Sequence, residues 1–289
     1  MKLALGTAQF GMKYGIANRN GKIPSSNEIG SILNLSRLHN IDTIDTAMSY
    51  GNSEKSLGNH DLSDFKVVTK LPEIPKKINN ISDWVINNLN NSLNNLKLDN
   101  LHCLMLHRPE QLTGESSYEL LSALQSIKES GKVLKLGISI YSPEELMAIS
   151  DLNEIDIVQC PINIVDRRMI ESGWLGKLKK NNIEIHARSC FLQGLLLMDI
   201  DELPSRFSKW EEIWVTWKIW MKKNNCSALD GCLSFLNSVN DVNRIIVGID
   251  TLKQLEEIIF SYNSNGFNDY PEISSSDENL INPTLWKEN

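Results

Sequence analysis

Short apolar runs rich in β-branched residues recur along the whole 289-residue chain and alternate with stretches of helical periodicity. Most of these runs begin roughly 22 to 38 residues apart, the length of a strand–helix–strand unit. That spacing predicts parallel strands joined by helices, because a parallel connection must cross back over the sheet. The eight predicted strands lie at residues 2–7, 41–45, 65–70, 101–107, 133–139, 155–160, 183–189 and 244–249.

Eight such units without an intervening linker predict one (β/α)8 barrel (TIM barrel) of the α/β class over residues 1–289. An open doubly wound sheet would fit the repetition less well. The hydrophobic fraction of 41% is that of a globular chain with a sizeable core. The long gap between the seventh and eighth strands predicts extra helices at about 209–238, and a polar tail at about 263–289 is expected to lie on the surface.

Capping-box pairs mark three of the predicted helix starts. In such a pair a Ser or Thr precedes the helix and a Glu or Gln follows three residues later, so each side chain bonds the backbone N–H of the other residue. The pairs are Ser25 with Glu28, Ser142 with Glu145, and Thr251 with Gln254.

Charge and cysteine usage narrow the class of partner. The net charge of −7 does not favour a nucleic-acid or anionic membrane surface. No apolar run reaches membrane-spanning length, and the chain enters a strand-like run at once without a signal-peptide pattern. The five cysteines form no CxxC pair, which is typical of reduced thiols. We therefore expect a cytoplasmic protein with a small-molecule partner and without a bound metal.

Four side chains suited to proton transfer follow three consecutive predicted strands. Asp45 ends the second strand and Tyr50 lies in the loop after it, Lys70 ends the third strand, and His107 ends the fourth. Active sites of (β/α)8 barrels lie at the carboxyl ends of the strands. The topology therefore predicts that these four residues meet at one mouth of the barrel.

Their chemistry fits general acid catalysis at a carbonyl group. A phenol with an ordinary pKa of about 10 is a weak acid at neutral pH, and a nearby ammonium lowers that pKa. We expect Lys70 to act on Tyr50 in this way, and Asp45 to pair with Lys70. Tyr50 would protonate a carbonyl oxygen that His107 orients. None of these side chains supplies a hydride, so a nicotinamide cofactor is implied.

The stretch DTAMSYGNSEKSLG at residues 45–58 resembles the aldo-keto reductase signature DTAxxYGxSExxLG. The resemblance continues through VVTK at Lys70 and LMLHRP at His107, and it covers nearly the whole chain. It implies a (β/α)8 barrel and NAD(P)H-dependent reduction of an aldehyde or ketone. It also implies that Asp45, Tyr50, Lys70 and His107 form the catalytic tetrad of the family.

The resemblance further implies a set of cofactor-binding residues. Ser139 and Gln159 match positions that hold the nicotinamide carboxamide, although Ile140 stands where Asn is common. Arg188 stands where many members place an aromatic residue against the nicotinamide, and a cation there would also meet an anionic substrate. The cofactor-binding residues predicted in this way are Thr7, Ser139, Gln159, Arg188, Ser189, Gln193, Gly194, Gly248 and Gln254.

Cofactor preference is predicted from the segment VGIDTLKQLEE after the eighth strand. NADPH-specific members of the family carry Lys, Ser and Arg at positions that here are Gly248, Ile249 and Gln254. The resemblance favours NADP(H), with NAD(H) as the alternative. No GxGxxG turn is present, which argues against a Rossmann dehydrogenase.

Two other functions are compatible with the same residues. One is a regulatory or sensor subunit that binds NADP(H) with little turnover, since Ile140 and Arg188 depart from the usual nicotinamide contacts. The other is an aldolase or lyase that forms a Schiff base on Lys70. For a reductase, the long polar loop GMKYGIANRNGKIP after the first strand permits a hydroxylated, sugar-like substrate.

Overall fold

Eight parallel strands close into one barrel in the chain order β1 to β8, which confirms the predicted fold class. The structure, a computed structural model, describes residues 1–16, 18, 21–149, 152–264 and 266–286. Parts of the predicted domain and of its tail, among them residues 265 and 287–289, lie outside the described residues. The strands are β1 Leu3–Gly6, β2 Thr43–Asp45, β3 Lys66–Leu71, β4 Leu101–Leu106, β5 Val133–Ser139, β6 Ile157–Pro161, β7 Glu184–Arg188 and β8 Arg244–Gly248.

The strand register brings the predicted site residues to one rim. Gly6 of β1 pairs with both Asp45 of β2 and Gly248 of β8, so three strand ends lie side by side. On the far side of the barrel, Ser139 of β5 pairs with Gln159 of β6. All of these residues lie at carboxyl ends of strands, which is the end that carries active sites in this fold.

Helices follow the strands and cover the outside of the barrel. In α3, Val85, Leu89, Leu93 and Leu96 form an apolar stripe that is buried against the sheet. The helices are α1 Ser26–Leu38, α2 Ser53–Leu57, α3 Ile81–Leu96, α4 Ser117–Glu129, α5 Pro143–Ala148, α6 Arg168–Glu171, α7 Trp174–Lys180, α8 Glu211–Asn224, α9 Ala228–Ser238, α10 Leu252–Tyr262 and α11 Glu278–Ile281.

The three predicted capping boxes differ in the structure. Thr251 and Gln254 form both reciprocal bonds at the start of α10. At α1, Ser25 Oγ accepts from the Glu28 N–H, but the Glu28 side chain is used elsewhere. The box predicted at Ser142 is wrong, because Ser142 makes no side-chain cap bond. Glu145 Oε1 instead accepts from the N–H of Tyr141, one residue further back, at 3.0 Å.

Helices α8 and α9 lie between β7 and β8 and support the loop that follows β7. Trp217 and Trp220 of α8 are buried and stack with their ring centroids 5.2 Å apart. Trp217 Nε1 donates to the carbonyl of Leu196 at 3.2 Å, and a side chain at Gly231 of α9 would collide with the Trp217 ring. This indole packing fixes the end of the β7 loop, which forms part of the cavity wall described below.

The carboxyl-terminal tail is polar in composition, but it is anchored by apolar side chains. Ile273, Leu280 and Ile281 are buried, and the Trp286 ring packs edge-on against Phe207 at 4.9 Å between centroids. The tail therefore contributes to the core as well as to the surface. Among the described residues, no helix is both long and apolar enough to cross a membrane.

Candidate active site

A buried ion pair forms the base of the site. Lys70 Nζ lies 2.7 Å from each carboxylate oxygen of Asp45, and it also donates to the carbonyl oxygen of Thr46 at 2.9 Å. These bonds engage all three N–H groups of the ammonium. Burial lowers the pKa of Lys70, and the Asp45 carboxylate opposes that shift. The pair predicted from the sequence is thus present in the structure.

A chain of hydrogen bonds extends from this ion pair across the barrel. Gln159 Nε2 donates to Asp45 Oδ1 at 2.6 Å, and Ser139 Oγ donates to Gln159 Oε1 at 3.3 Å. Both side chains are buried, with 1% and 2% exposure respectively. On the other side, the Thr7 hydroxyl donates to the carbonyl oxygen of Asp45 at 3.0 Å. Ser139 and Gln159 therefore hold Asp45 in place in addition to facing the cavity.

Tyr50 stands above the ion pair in the loop between β2 and α2. Its ring centroid lies 5.3 Å from Lys70 Nζ, and the His107 ring meets it edge-on at 6.0 Å. The loop is fixed by a backbone bond from Tyr50 N–H to the Ala47 carbonyl and by Gly51, which adopts a φ of 56°. A side chain at Gly51 would collide with the Gly11 carbonyl, so this turn requires glycine.

The expected lowering of the Tyr50 pKa is wrong. Burial, and after it the negative charge of Asp45, hold the pKa of Tyr50 well above its ordinary value. The ammonium of Lys70 does not reverse this, because Asp45 neutralises it at 2.7 Å. Tyr50 is consequently a fully protonated phenol in the free protein, which can donate a proton but is not predisposed to lose it.

His107 follows β4 and is a neutral imidazole. Burial lowers its pKa to about 3, and the charges of Lys70, Arg188 and Arg108 act in the same direction. Its Nδ1 lies 3.3 Å from Ser49 Oγ. A neutral imidazole has one N–H, so in the tautomer in which Ser49 donates to Nδ1, Nε2–H can donate to a ligand.

This pKa predicts how pH affects stability through His107. The folded pKa lies below the unfolded value of about 6.5, so the unfolded chain binds the proton more readily as the pH falls from 6.5 towards 3. Between pH 7 and pH 5 we expect the wild type to lose about 1–2 kcal/mol more unfolding free energy than His107→Gln. Urea denaturation at both pH values measures this difference. Equal losses would contradict a neutral His107.

The four predicted catalytic residues meet at a cavity of about 520 Å³ at the carboxyl ends of the strands. Tyr50, His107 and Asp45 line it, whereas Lys70 lies beneath and is 1% exposed. The volume is within the range of small-molecule and cofactor sites. The predicted cofactor residues also line this cavity: Thr7, Ser139, Gln159, Arg188, Ser189, Gln193, Gly194, Gly248 and Gln254.

The loop after β7 presents strained backbone to the cavity. Ser189, Leu192 and Gln193 have φ values of 57°, 49° and 54°, and Gly194 has a φ of 92°. Three left-handed residues that are not glycine in one short loop are uncommon and are often found at ligand sites. Backbone that alternates between right- and left-handed conformations can turn several N–H groups towards an anion. The loop thus places left-handed backbone at the cavity wall, with the N–H groups of Leu192 and Gly194 bonded to the carbonyls of Ser189 and Phe191.

Arg188 ends β7 and is held rigidly at the cavity wall. Its guanidinium lies 4.3 Å from the centroid of the Tyr141 ring, and Nη2 donates to the Ile140 carbonyl at 2.9 Å. Nη1 donates to Ser189 Oγ at 3.2 Å. Among the described residues that line the cavity, Arg188 is the one Lys or Arg. An anionic group of a ligand would therefore bind next to the Arg188 guanidinium.

The neighbouring part of the wall, which follows β8 and is here named the α10 side, comprises Gly248, Asp250, Gln254 and Glu257. Gln254 Oε1 accepts from the N–H groups of Asp250 at 2.6 Å and Thr251 at 3.3 Å, so its carbonyl end belongs to the helix cap. Asp250 Oδ1 accepts from Asn18 Nδ2 at 3.0 Å. The α10 side therefore exposes two carboxylates to the cavity.

Several lining residues were not among the sequence-predicted ones. Asp250 could have been predicted from the sequence, since it directly follows the last predicted strand. Glu257 lies on α10, and the others lie in loops or short 3-10 turns whose path no periodicity predicts. The missed polar residues are Gln9, Tyr14, Asn18, Tyr141, Asp250, Glu257 and Thr284. Within the described part of the chain, no group of three His, Cys, Asp or Glu residues is placed to hold a metal ion.

Comparisons with known proteins show the family of the chain. The model of the Aldo/keto reductase family matches residues 2–272. The chain is 29% identical over 119 residues to Oxidoreductase YdhF of Escherichia coli K12, which covers 40% of this chain and 39% of that protein. It is 25% identical over 230 residues to L-glyceraldehyde 3-phosphate reductase of Escherichia coli O157:H7, covering 71% of this chain and 66% of that protein. The chain thus spans less than two thirds of each of these curated relatives.

A crystal structure from Pseudomonas aeruginosa that carries the aldo-keto reductase name has the same fold. It superposes with a TM-score of 0.66 and 20% sequence identity, covering 90% of this chain and 89% of that chain. At this identity the likeness concerns the fold.

Proposed function

Because the chain belongs to the aldo/keto reductase family, we propose that it reduces an aldehyde or ketone to an alcohol with a hydride from a nicotinamide cofactor. The observation on which this rests is the convergence of Tyr50 and His107 on one cavity, above the buried Lys70–Asp45 pair. The predicted cofactor residues line the same cavity, so a cofactor and a carbonyl group would meet at Tyr50.

The residues of the cavity fit a dinucleotide. The buried amide and hydroxyl of Gln159 and Ser139 suit a carboxamide, and the left-handed backbone at Gln193 and Gly194 suits a diphosphate. When bound, the cofactor supplies the hydride to the carbonyl carbon. NADP(H), which the resemblance favours, and NAD(H) would supply it equally, and they differ in what the α10 side must accommodate.

Tyr50 acts as the general acid in this proposal. Its O–H donates a proton to the carbonyl oxygen as the carbon gains the hydride, so that the product is a neutral alcohol. The elevated pKa keeps the phenol protonated across the physiological pH range. The neutral His107 donates a hydrogen bond to the same oxygen and orients the carbonyl.

The Lys70–Asp45 pair positions Tyr50 and shapes its electrostatic surroundings. The ammonium lies 5.3 Å from the ring centroid, so the Tyr50 ring rests over a neutral ion pair and not over a single charge. Gln159 and Thr46 hold the pair in one geometry. This fixed arrangement needs no rearrangement when charge develops.

A Schiff-base mechanism at Lys70 is disfavoured by its contacts. The amine is 1% exposed, its three N–H groups are engaged, and it does not line the cavity. Nucleophilic attack needs an exposed, neutral amine. The sensor alternative uses the same cavity and differs from the reductase only in turnover.

The experiment for the proposal is an activity panel with the purified protein. NADH and NADPH are each offered with short aldehydes, ketones and open-chain sugars, and alcohol formation is measured together with cofactor oxidation. We expect stoichiometric oxidation and alcohol formation with at least one carbonyl. Tight cofactor binding without turnover on any carbonyl would instead support a sensor.

The position of Arg188 in the cavity predicts a preference for anionic over neutral aldehydes. An aldehyde that bears a carboxylate or phosphate should have a kcat/KM about 10- to 100-fold above a neutral aldehyde of equal length, since hydrogen bonds to charged groups contribute about 1.5–3 kcal/mol. Arg188→Met should remove this preference. Arg108→Met, at an exposed arginine outside the cavity, should retain it. A preference that survives in Arg188→Met would exclude this role of Arg188.

A further inference from the structure

The α10 side of the cavity bears negative charge from both of its acidic residues. Asp250 directly follows β8, and Glu257 lies in the second turn of α10. Lys253, the basic residue between them, does not line the cavity; its side chain is 83% exposed, and its Nζ lies 3.7 Å from Glu257 Oε1. Among the described residues of this side, none that lines the cavity is Lys or Arg.

A third carboxylate occupies the N-terminus of α10. Glu28 of α1 accepts from the N–H of Leu252 through Oε1 at 2.6 Å, and Thr251 Oγ1 accepts from the N–H of Gln254 at 3.2 Å. A helix N-terminus is ordinarily a good site for a phosphate because its first N–H groups are free. Here two of those groups are already bound, one of them by an anion.

A wall that carries carboxylates can accept a hydrogen bond from a ribose hydroxyl, and it repels a phosphate. A phosphate monoester carries about −1.5 to −2 charges at pH 7, and like charges repel it from a nearby carboxylate. A carboxylate beside a ribose accepts hydrogen bonds from the 2′-hydroxyl, as acidic residues do in NAD sites. Asp250 Oδ1 accepts from Asn18, and within the described part of the chain Oδ2 accepts no hydrogen bond, so Oδ2 can accept one from a hydroxyl.

We propose that the α10 side binds an unphosphorylated adenosine ribose, so that the preferred cofactor is NAD(H) and Asp250 and Glu257 weaken the binding of NADP(H). This inference rests on the proposed use of a nicotinamide cofactor and reverses the preference that the resemblance favours. It concerns binding alone, and a measurement without turnover can therefore test it.

The test is a fluorescence titration of the purified protein with NADH and with NADPH. The chain has seven tryptophans whose emission the reduced nicotinamide can quench. We expect a Kd for NADH at least about tenfold lower than for NADPH at low ionic strength. Added salt should lower the ratio of the Kd for NADPH to the Kd for NADH, because salt screens the repulsion of a partly exposed phosphate.

Variants test whether the two carboxylates cause the preference for NADH over NADPH. The double variant Asp250→Asn with Glu257→Gln should lower the Kd for NADPH about tenfold and weaken NADH binding only modestly. Glu256→Gln is the matched control, since this residue is exposed on the same helix and does not line the cavity. Glu256→Gln should leave the ratio of the Kd values for NADPH and NADH unchanged.

The outcomes separate the two proposals. Equal or tighter binding of NADPH by the wild-type protein would overturn the selection while leaving the reductase proposal intact. An absence of binding by either nucleotide would overturn both. Because the wild-type ratio is decisive, the inference is testable even with a variant that does not fold.

Discussion

Replacing Tyr50 with Phe should lower carbonyl-reducing turnover by about 100- to 10,000-fold, the usual contribution of a positioned general acid. The substitution removes only the hydroxyl, and the ring that meets His107 and lies over Lys70 remains. Cofactor affinity should therefore stay within about twofold of the wild type, since the change adds no charge to the cavity. Turnover is measured with the best carbonyl of the panel, and affinity by fluorescence titration.

The control for this variant is Tyr118→Phe. Tyr118 lies on α4, is 85% exposed and does not line the cavity, so the loss of its hydroxyl should leave turnover unchanged. If Tyr50→Phe retained full turnover, Tyr50 would not be the acid. A parallel loss of cofactor binding would indicate that the hydroxyl serves the structure of the site.

Replacing Lys70 with Met should lower the free energy of unfolding by about 3–5 kcal/mol, the cost of leaving one charge of a buried pair uncompensated. The orphaned Asp45 carboxylate would keep only neutral donors such as the Gln159 amide, at 2.6 Å. Turnover should fall as well, because Tyr50 loses the neighbouring cation. Urea denaturation measures the first effect independently of the second.

Lys66→Met is the matched control on the same strand. Lys66 also pairs with an aspartate at 2.7 Å, but the two side chains are 47% and 35% exposed. An exposed pair contributes at most about 1 kcal/mol. The double variant Lys70→Met with Asp45→Leu should recover stability without recovering activity, since replacing both members of a buried pair with apolar side chains is often neutral. A Lys70→Met cost no larger than that of Lys66→Met would contradict the buried pair.

The sequence predicted the barrel and the meeting of the four polar residues because both depend on periodicity. Strand spacing determines the closed sheet, and strand ends determine which residues share a rim. Asp45 and Lys70 lie at the carboxyl ends of β2 and β3, and His107 directly follows β4. Tyr50 lies in the short loop after β2, so spacing predicts that the four residues share a rim.

Properties that depend on the sum of several charges were not predictable in the same way. Lys70 suggested a lowered pKa for Tyr50, but the outcome depends on burial and on the 2.7 Å contact with Asp45, which spacing does not reveal. The use of Glu28 at the start of α10, 224 positions away, is likewise a product of tertiary contact. The sequence pattern predicted instead that the Glu28 side chain would bond the N–H of Ser25 in a capping box at the start of α1.

The most direct measurement of the central claim is product formation by the wild type and by Tyr50→Phe, with NADH and NADPH supplied separately. The proposed function predicts that the wild type forms one alcohol for each cofactor oxidised. It also predicts that Tyr50→Phe binds the cofactor but forms the alcohol at least about 100-fold more slowly. Cofactor binding without alcohol formation from any carbonyl, or undiminished turnover by Tyr50→Phe, would contradict it.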